Sequence, residues 1–124
     1  MSSSVEFTDR QVQGCIIIDV KADNFVYPQT PLLKNHVAHL IEQGVKFIAL
    51  NMGGIGIIDS YGLATIISIR KMTKEIDGGL VLYGLNDMLT HLVEVTHLDR
   101  ALDIWPSEAQ ALYFLSSTYK LPSA

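Results

Sequence analysis

Three short apolar runs decide what this chain can become. They are "GCIIIDVK" (14–21), "VKFIALN" (45–51) and "LVLYG" (80–84). The first is rich in β-branched residues and reads as a strand buried on at least one face. The other two lack the strict alternation of a strand with one wet face, which suits strands covered on both sides. Helical patterns stand between them. Thr30 and Pro31 open the first, as hydroxyl N-cap and first-turn proline. Leu32, Leu33, Val37, Leu40 and Ile41 then recur at helical spacing until Gly44 supplies the stop. A second helix begins near Ser60 and ends before Gly78 and Gly79. Strands and helices that alternate over short connections imply an α/β chain, a central sheet with helices packed against it.

The remaining segments fit the same plan. Residues 5–7 read as a short strand beside the first run. "ADNFVYPQTP" carries Pro28 and Pro31 and reads as a loop, as does the glycine-rich "MGGIG". Asn86 or Asp87 caps a helix through about Thr96, with Met88, Leu89, Leu92 and Val95 inward. "ALDIW" is a short strand, and "PSEAQALYFL" opens a last helix with a capping-box pattern at Ser107 and Gln110. The expected core spans about residues 14–115, with a fraying tail over 116–124. The 124 residues suit one domain, and no internal repeat or linker divides them.

Composition excludes several function classes. The net charge of -4 and nine scattered Lys and Arg offer no basic stripe for nucleic acid. No apolar run reaches the roughly 20 residues that span a bilayer, so no membrane insertion is expected. "MSSSVEFTDR" has neither a positive n-region nor an apolar h-region, and the single cysteine, Cys15, fits a reducing compartment. The expectation is a cytoplasmic protein, a monomer or weak dimer.

Most chemical motifs fail on inspection. "GGIGIIDS" has glycine at 54 and 56, but Asp59 stands where a dinucleotide fingerprint needs its third glycine, and its carboxylate would repel a pyrophosphate. A phosphate loop with Gly-Lys-Ser/Thr is absent. His36 and His39 share a spacing used for metals, with Glu42 as the one candidate third ligand, and read better as solvated helix-surface residues. Cys15 reads as a small core residue. "DSYG" is not the Gly-x-Ser-x-Gly of a nucleophile elbow. The chain is therefore expected to carry no cofactor and no metal, and hydrolysis has little support.

What remains is "IGIIDSYGLATII" (55–67). Asp59 or Ser60 can cap the helix that follows, by accepting from its free N–H groups. Gly62 in the first turn lowers helix stability relative to alanine and could let another backbone come close. A phosphate on a serine at this point would face the positive end of the helix dipole.

On these residues the chain resembles the STAS domain of bacterial anti-sigma-factor antagonists. The likeness covers about residues 14–115. It is carried by "FIALNMGGIGIIDSYGLATII", "GGLVLYGLN", "LVEVTHLDRALDIW" and "SEAQAL". The family signature Ile-Asp-Ser-x-Gly-Leu stands as Ile58, Asp59, Ser60, Tyr61, Gly62 and Leu63, and Leu98 and Asp99 match the stretch before the last strand. The resemblance implies a single STAS domain, a mixed sheet of four to five strands with about four helices. It also implies a partner-switching protein rather than an enzyme. The unmodified protein binds an anti-sigma factor that is a serine kinase of the histidine-kinase-like ATPase fold, and so releases a sigma factor. Phosphorylation at Ser60 ends the binding, and a PP2C-type phosphatase resets it. The contact surface it implies takes in Gly54, Ile55, Gly56, Asp59, Ser60, Tyr61, Gly62 and Leu63, with Asn24 beside them. Outward residues of the helix, such as Thr65, Ser68 and Met72, extend it, because "LATIISI" is apolar nearly all round.

Two positions depart from the family pattern. Tyr61 stands where a second Ser or Thr is usual, and Val26 stands where the loop after the first strand carries an acid, with Asp23 and Asn24 nearby. Val26 is the main support for an alternative: a STAS scaffold or accessory subunit of a stress-sensing complex or a transporter, without a rapid phospho-switch. A third reading, a domain that itself holds a nucleotide or lipid, has no motif behind it.

Overall fold

The computed structural model describes residues 4–122. Its strands are β1 (Glu6–Val12), β2 (Cys15–Phe25), β3 (Phe47–Ile58), β4 (Gly79–Tyr83) and β5 (Ile104–Trp105). Its helices are α1 (Thr30–Glu42), α2 (Ser60–Glu75), α3 (Asp87–Val95) and α4 (Glu108–Thr118). They build one five-stranded sheet in the order β1-β2-β3-β4-β5. β1 is antiparallel to β2, and the other three pairings are parallel. This is the mixed sheet with four helices that the resemblance implies.

Both faces of the central strands are covered, which explains their missing alternation. Ile18, Ile48, Leu50 and Leu82 point to one side, where Leu33 and Val37 of α1, Ile66 and Ile69 of α2 and Leu89 of α3 meet them. Ile17, Ala49 and Val81 point to the other, against Ala111 and Leu115 of α4.

Several expectations change. β2 runs on to Phe25, into a stretch expected to be loop, and β3 runs through "MGGIG" to Ile58. The glycines there are pairing residues. A Cβ on Gly54 would come within 2.5 Å of the Val20 carbonyl oxygen, and one on Gly56 within 2.6 Å of that of Asp23. Between Asp19 and Lys21 the register slips, two steps on β2 matching three from Asn51 to Gly54 on β3. This is a β-bulge of the kind glycine permits. β1 is a full seven-residue strand rather than the short piece expected.

On the helices, Thr30 is the buried first residue of α1 and makes no side-chain cap, while Pro31 holds the first turn as expected. Leu32, Met88 and Val95 are exposed rather than inward, and Val93 takes the buried place in α3. Thr65 of α2 is buried, not outward, and Ser68 and Met72 are half-buried. The segment expected to fray continues as α4 to Thr118. Tyr119 then packs its ring 5.5 Å from that of Phe47. Ser123 and Ala124, also assigned to the tail, lie outside the described residues. Among the described residues no helix is long and apolar enough to cross a membrane.

Candidate functional site

Ser60 is the first residue of α2, at the carboxyl end of β3. Of the two capping candidates Asp59 is the N-cap, and both of its carboxylate oxygens are engaged. One accepts from the Gly62 N–H at 2.8 Å and the other from the Tyr27 N–H at 3.1 Å. The Asp59 carbonyl accepts from the Leu63 N–H at 3.1 Å. Asp59 thus locks the first turn of α2 to the turn that follows β2. Ser60 itself is exposed, and the described residues offer its hydroxyl no hydrogen bond. It is presented by its neighbours and held by none of them.

Gly62 has a different role from the one its sequence position suggested. It is buried, and a Cβ there would lie 2.8 Å from the Phe25 carbonyl oxygen and 2.4 Å from Cγ1 of Ile58. The backbone that comes close is the chain's own. Ile55 is enclosed in the core at 3% exposure, so its side chain is withdrawn from the expected contact surface. Leu63 is half-buried against the same core. Gly54, Gly56, Ser60 and Tyr61 remain exposed.

Beside Tyr61, three exposed apolar side chains at this end, Tyr27, Ile57 and Met88, are missing from the expected contact surface. Tyr61 is 59% exposed and its ring lies 5.0 Å from that of Tyr27, which is 60% exposed. Ile57 is 47% exposed at the end of β3, and Met88 is 59% exposed in the first turn of α3. Asn86 ties α3 to this end. Its side chain caps α3 by accepting from the Leu89 N–H at 2.8 Å, and its amide donates to the carbonyls of Ile55 and Gly56 at 3.2 and 3.0 Å. No sequence pattern marks such residues, because their exposure depends on where three separate elements end.

Asp23 and Asn24 belong to β2, with Asn24 half-buried opposite Ile57. Val26 is the first residue beyond the strand, and its carbonyl accepts from the Gln29 N–H at 2.9 Å. The loop that carries an acid in the family pattern is here fixed to Asp59 through the Tyr27 N–H.

A polar ladder crosses the opposite face of the sheet. Asp19, Asn51 and Tyr83 are register partners on β2, β3 and β4. Arg10 of β1 makes a two-pronged pair with Asp19 at 2.6 and 2.9 Å and reaches Glu108 of α4 at 2.6 Å. The Tyr83 hydroxyl donates to Glu108 at 2.7 Å, and the Asn51 amide donates to Asp19 at 2.7 Å. Asn51 accepts in turn from the Gly53 N–H at 3.0 Å, inside the bulge. Hydrogen bonding from Arg10 holds the Asp19 and Glu108 carboxyls below their ordinary range, while burial, then Glu108, pushes the Tyr83 hydroxyl up.

His36 and His39 contact neighbouring side chains of the chain. His36 stacks on Phe7 and lies 2.8 Å from an Asp9 oxygen, while His39 sits 3.3 Å from the Gln43 amide. Among the described residues no three metal-ligating side chains cluster.

Comparison with known proteins agrees with this fold. The family profile described as STAS domain matches residues 6–111. The anti-sigma-B factor antagonist of Bacillus subtilis is 28% identical over 95 residues, 77% of this chain and 85% of that one. A candidate anti-sigma factor antagonist from Thermotoga maritima has a solved structure that superposes with a TM-score of 0.79 at 21% identity, over 89% of this chain and 94% of that one. SpoIIAA of Bacillus, solved in its phosphorylated form, gives 0.67 at 14% identity over 88% of this chain and 98% of that one.

Proposed function

We propose that this chain, which belongs to the STAS-domain family, acts as an anti-sigma-factor antagonist switched by phosphorylation of Ser60. The observation that carries the reading is the exposed Ser60 hydroxyl at the head of α2, without a hydrogen-bond partner among the described residues, beside the exposed Tyr27–Tyr61 pair. In this reading the chain is a regulator in the cytoplasm and not an enzyme. Its partner is an anti-sigma factor with serine-kinase activity, and a PP2C-type phosphatase restores the free hydroxyl. The relative in Bacillus subtilis is an anti-sigma-B factor antagonist by name, and the phosphorylated form of SpoIIAA has the same fold.

The physics of the switch follows from the site. A phosphate brings about -1.5 to -2 charges and strong acceptor oxygens. Within the chain the free N–H groups of the first turn of α2 tolerate it. Against a partner packed on Tyr61, Tyr27, Ile57 and Met88 the charge must be desolvated or repelled, and Asp59 adds to the repulsion. A coupling of about 3 kcal/mol shifts affinity more than a hundredfold.

The test incubates the purified chain with candidate anti-sigma kinases and ATP and maps the phosphate by mass spectrometry. Ser60 is expected to carry it. Ser60→Ala should keep partner binding, whereas Ser60→Asp should lose at least about tenfold, a difference of about 1.4 kcal/mol. Equal binding by the two variants overturns the switch. A Ser60 left unmodified by every kinase that binds points instead to the scaffold role, for which Val26 in place of the acid is the supporting feature.

A further inference from the structure

A second concavity lies at the other end of the sheet, where β2 and β3 begin. It is a groove of about 710 Å³, walled by the connection from α1 to β3 and by the residues that follow α4. The volume falls within the roughly 300–1,000 Å³ of small-molecule sites. Its floor is apolar: Cys15 and Phe47 are buried there, with the Tyr119 ring laid against Phe47. Its rim is cationic. Lys46 and Lys120 line it, both exposed, and among the described residues neither has a carboxylate within ion-pair distance. Asp77 is the one carboxylate on the lining, against two ammonium groups, in a chain whose net charge is -4.

We infer that this groove binds a small amphipathic anion, an apolar body on the Phe47–Tyr119 floor with a carboxylate or phosphate head between Lys46 and Lys120. Apolar contact supplies the bulk of such binding and a few placed polar groups orient it. The alternative of a peptide adding as a strand has no edge to use here, since β2 and β3 are interior strands. The buried Cys15 thiol, raised by desolvation, stays neutral and belongs to the apolar floor. The inference is independent of Ser60, which stands at the opposite end of β3.

The test uses the full chain, labelled with nitrogen-15, and four probes. Octanoate and octyl phosphate carry the two head groups, octanol is the neutral match, and inorganic phosphate is a head without a body. Saturable shifts are expected at the amides of Gly14, Gly44, Lys46 and Tyr119 with the anionic amphiphiles, and the tighter of the two identifies the head group. Octanol should bind at least tenfold more weakly, and phosphate alone should shift nothing. K46E/K120E should weaken the anionic probe at least tenfold and leave the amides around Ser60 in place, with K46Q/K120Q intermediate. Octanol binding as tightly as octanoate, or no effect of charge reversal, overturns the inference. So does equal response to inorganic phosphate, or no saturable shift with any probe at millimolar concentration.

Discussion

Gly62 sets two effects of opposite sign against each other. On helix propensity alone, alanine in the first turn of α2 would be better by about 1 kcal/mol. The site reverses that preference, because an added methyl meets the Phe25 carbonyl oxygen, a backbone atom with little room to retreat. Overpacking of this kind costs about 1–3 kcal/mol. Gly62→Ala is therefore expected to lower stability by up to about 2 kcal/mol net, read from the urea midpoint at unchanged slope. A stabilised variant would show that the end of β2 yields easily, and would remove the structural reason for this glycine. Ser60 offers the contrast. Among the described residues its hydroxyl has no hydrogen-bond partner, so Ser60→Ala should leave the same midpoint almost where it was.

At the scale of elements, the head of α2 is positioned by the ends of its neighbours. Asp59 holds the turn after β2, and Asn86 holds the end of β3 from the start of α3. Asn86→Asp separates the two jobs of that side chain. Aspartate caps a helix as well as asparagine does, but it has no N–H₂ to give the Ile55 and Gly56 carbonyls and sets a charge against them. The variant should lose about 1–2 kcal/mol although α3 keeps its cap. Amide exchange should quicken over the last residues of β3 while α3 stays protected. Unchanged exchange there would mean that the end of β3 is held without Asn86. These ties also explain what the sequence could reveal. The apolar runs placed the strands, and the Asp59 cap was legible because it is local. The extension of β3 was not: Gly54 and Gly56 look like loop residues until Val20 and Asp23, more than thirty positions away, are seen to need the space. The inward or outward aspect of Thr65, Met88 and Val95 depends likewise on which helix packs beside them. For Ser60 the helix dipole and Gly62 hinted at more than a cap, but the family signature supplied the reason, since spacing by itself does not distinguish a presented hydroxyl from a capping one.

Across the whole molecule, the Arg10 ladder is the feature that joins most elements. It links β1, β2, β3, β4 and the first turn of α4, and its longest bond joins residues 98 positions apart. Through Asn51 it also reaches the Gly53 N–H, so it helps fix the bulge from which β3 runs on to Ser60. Its charge state gives stability a pH dependence of known sign. Asp19 and Glu108 titrate lower in the folded chain than in the unfolded one, chiefly through Arg10. Their contribution is therefore complete above the ordinary carboxylate range, about pH 4, and is lost as pH falls through their depressed folded values. Glu108 is more than a third exposed, so Glu108→Gln should cost only about 0.5–1 kcal/mol at neutral pH. Asp19 is more enclosed and accepts from both Arg10 and Asn51, so Asp19→Asn should cost more, about 1–2 kcal/mol. The check is urea unfolding at a series of pH values from neutral to about pH 3, spanning the carboxylate range. The parent chain should weaken steeply at the acid end, and each variant should show a shallower loss there. Parallel curves for parent and variants would place the acid sensitivity in other carboxylates and leave the ladder with a purely geometric part in the fold.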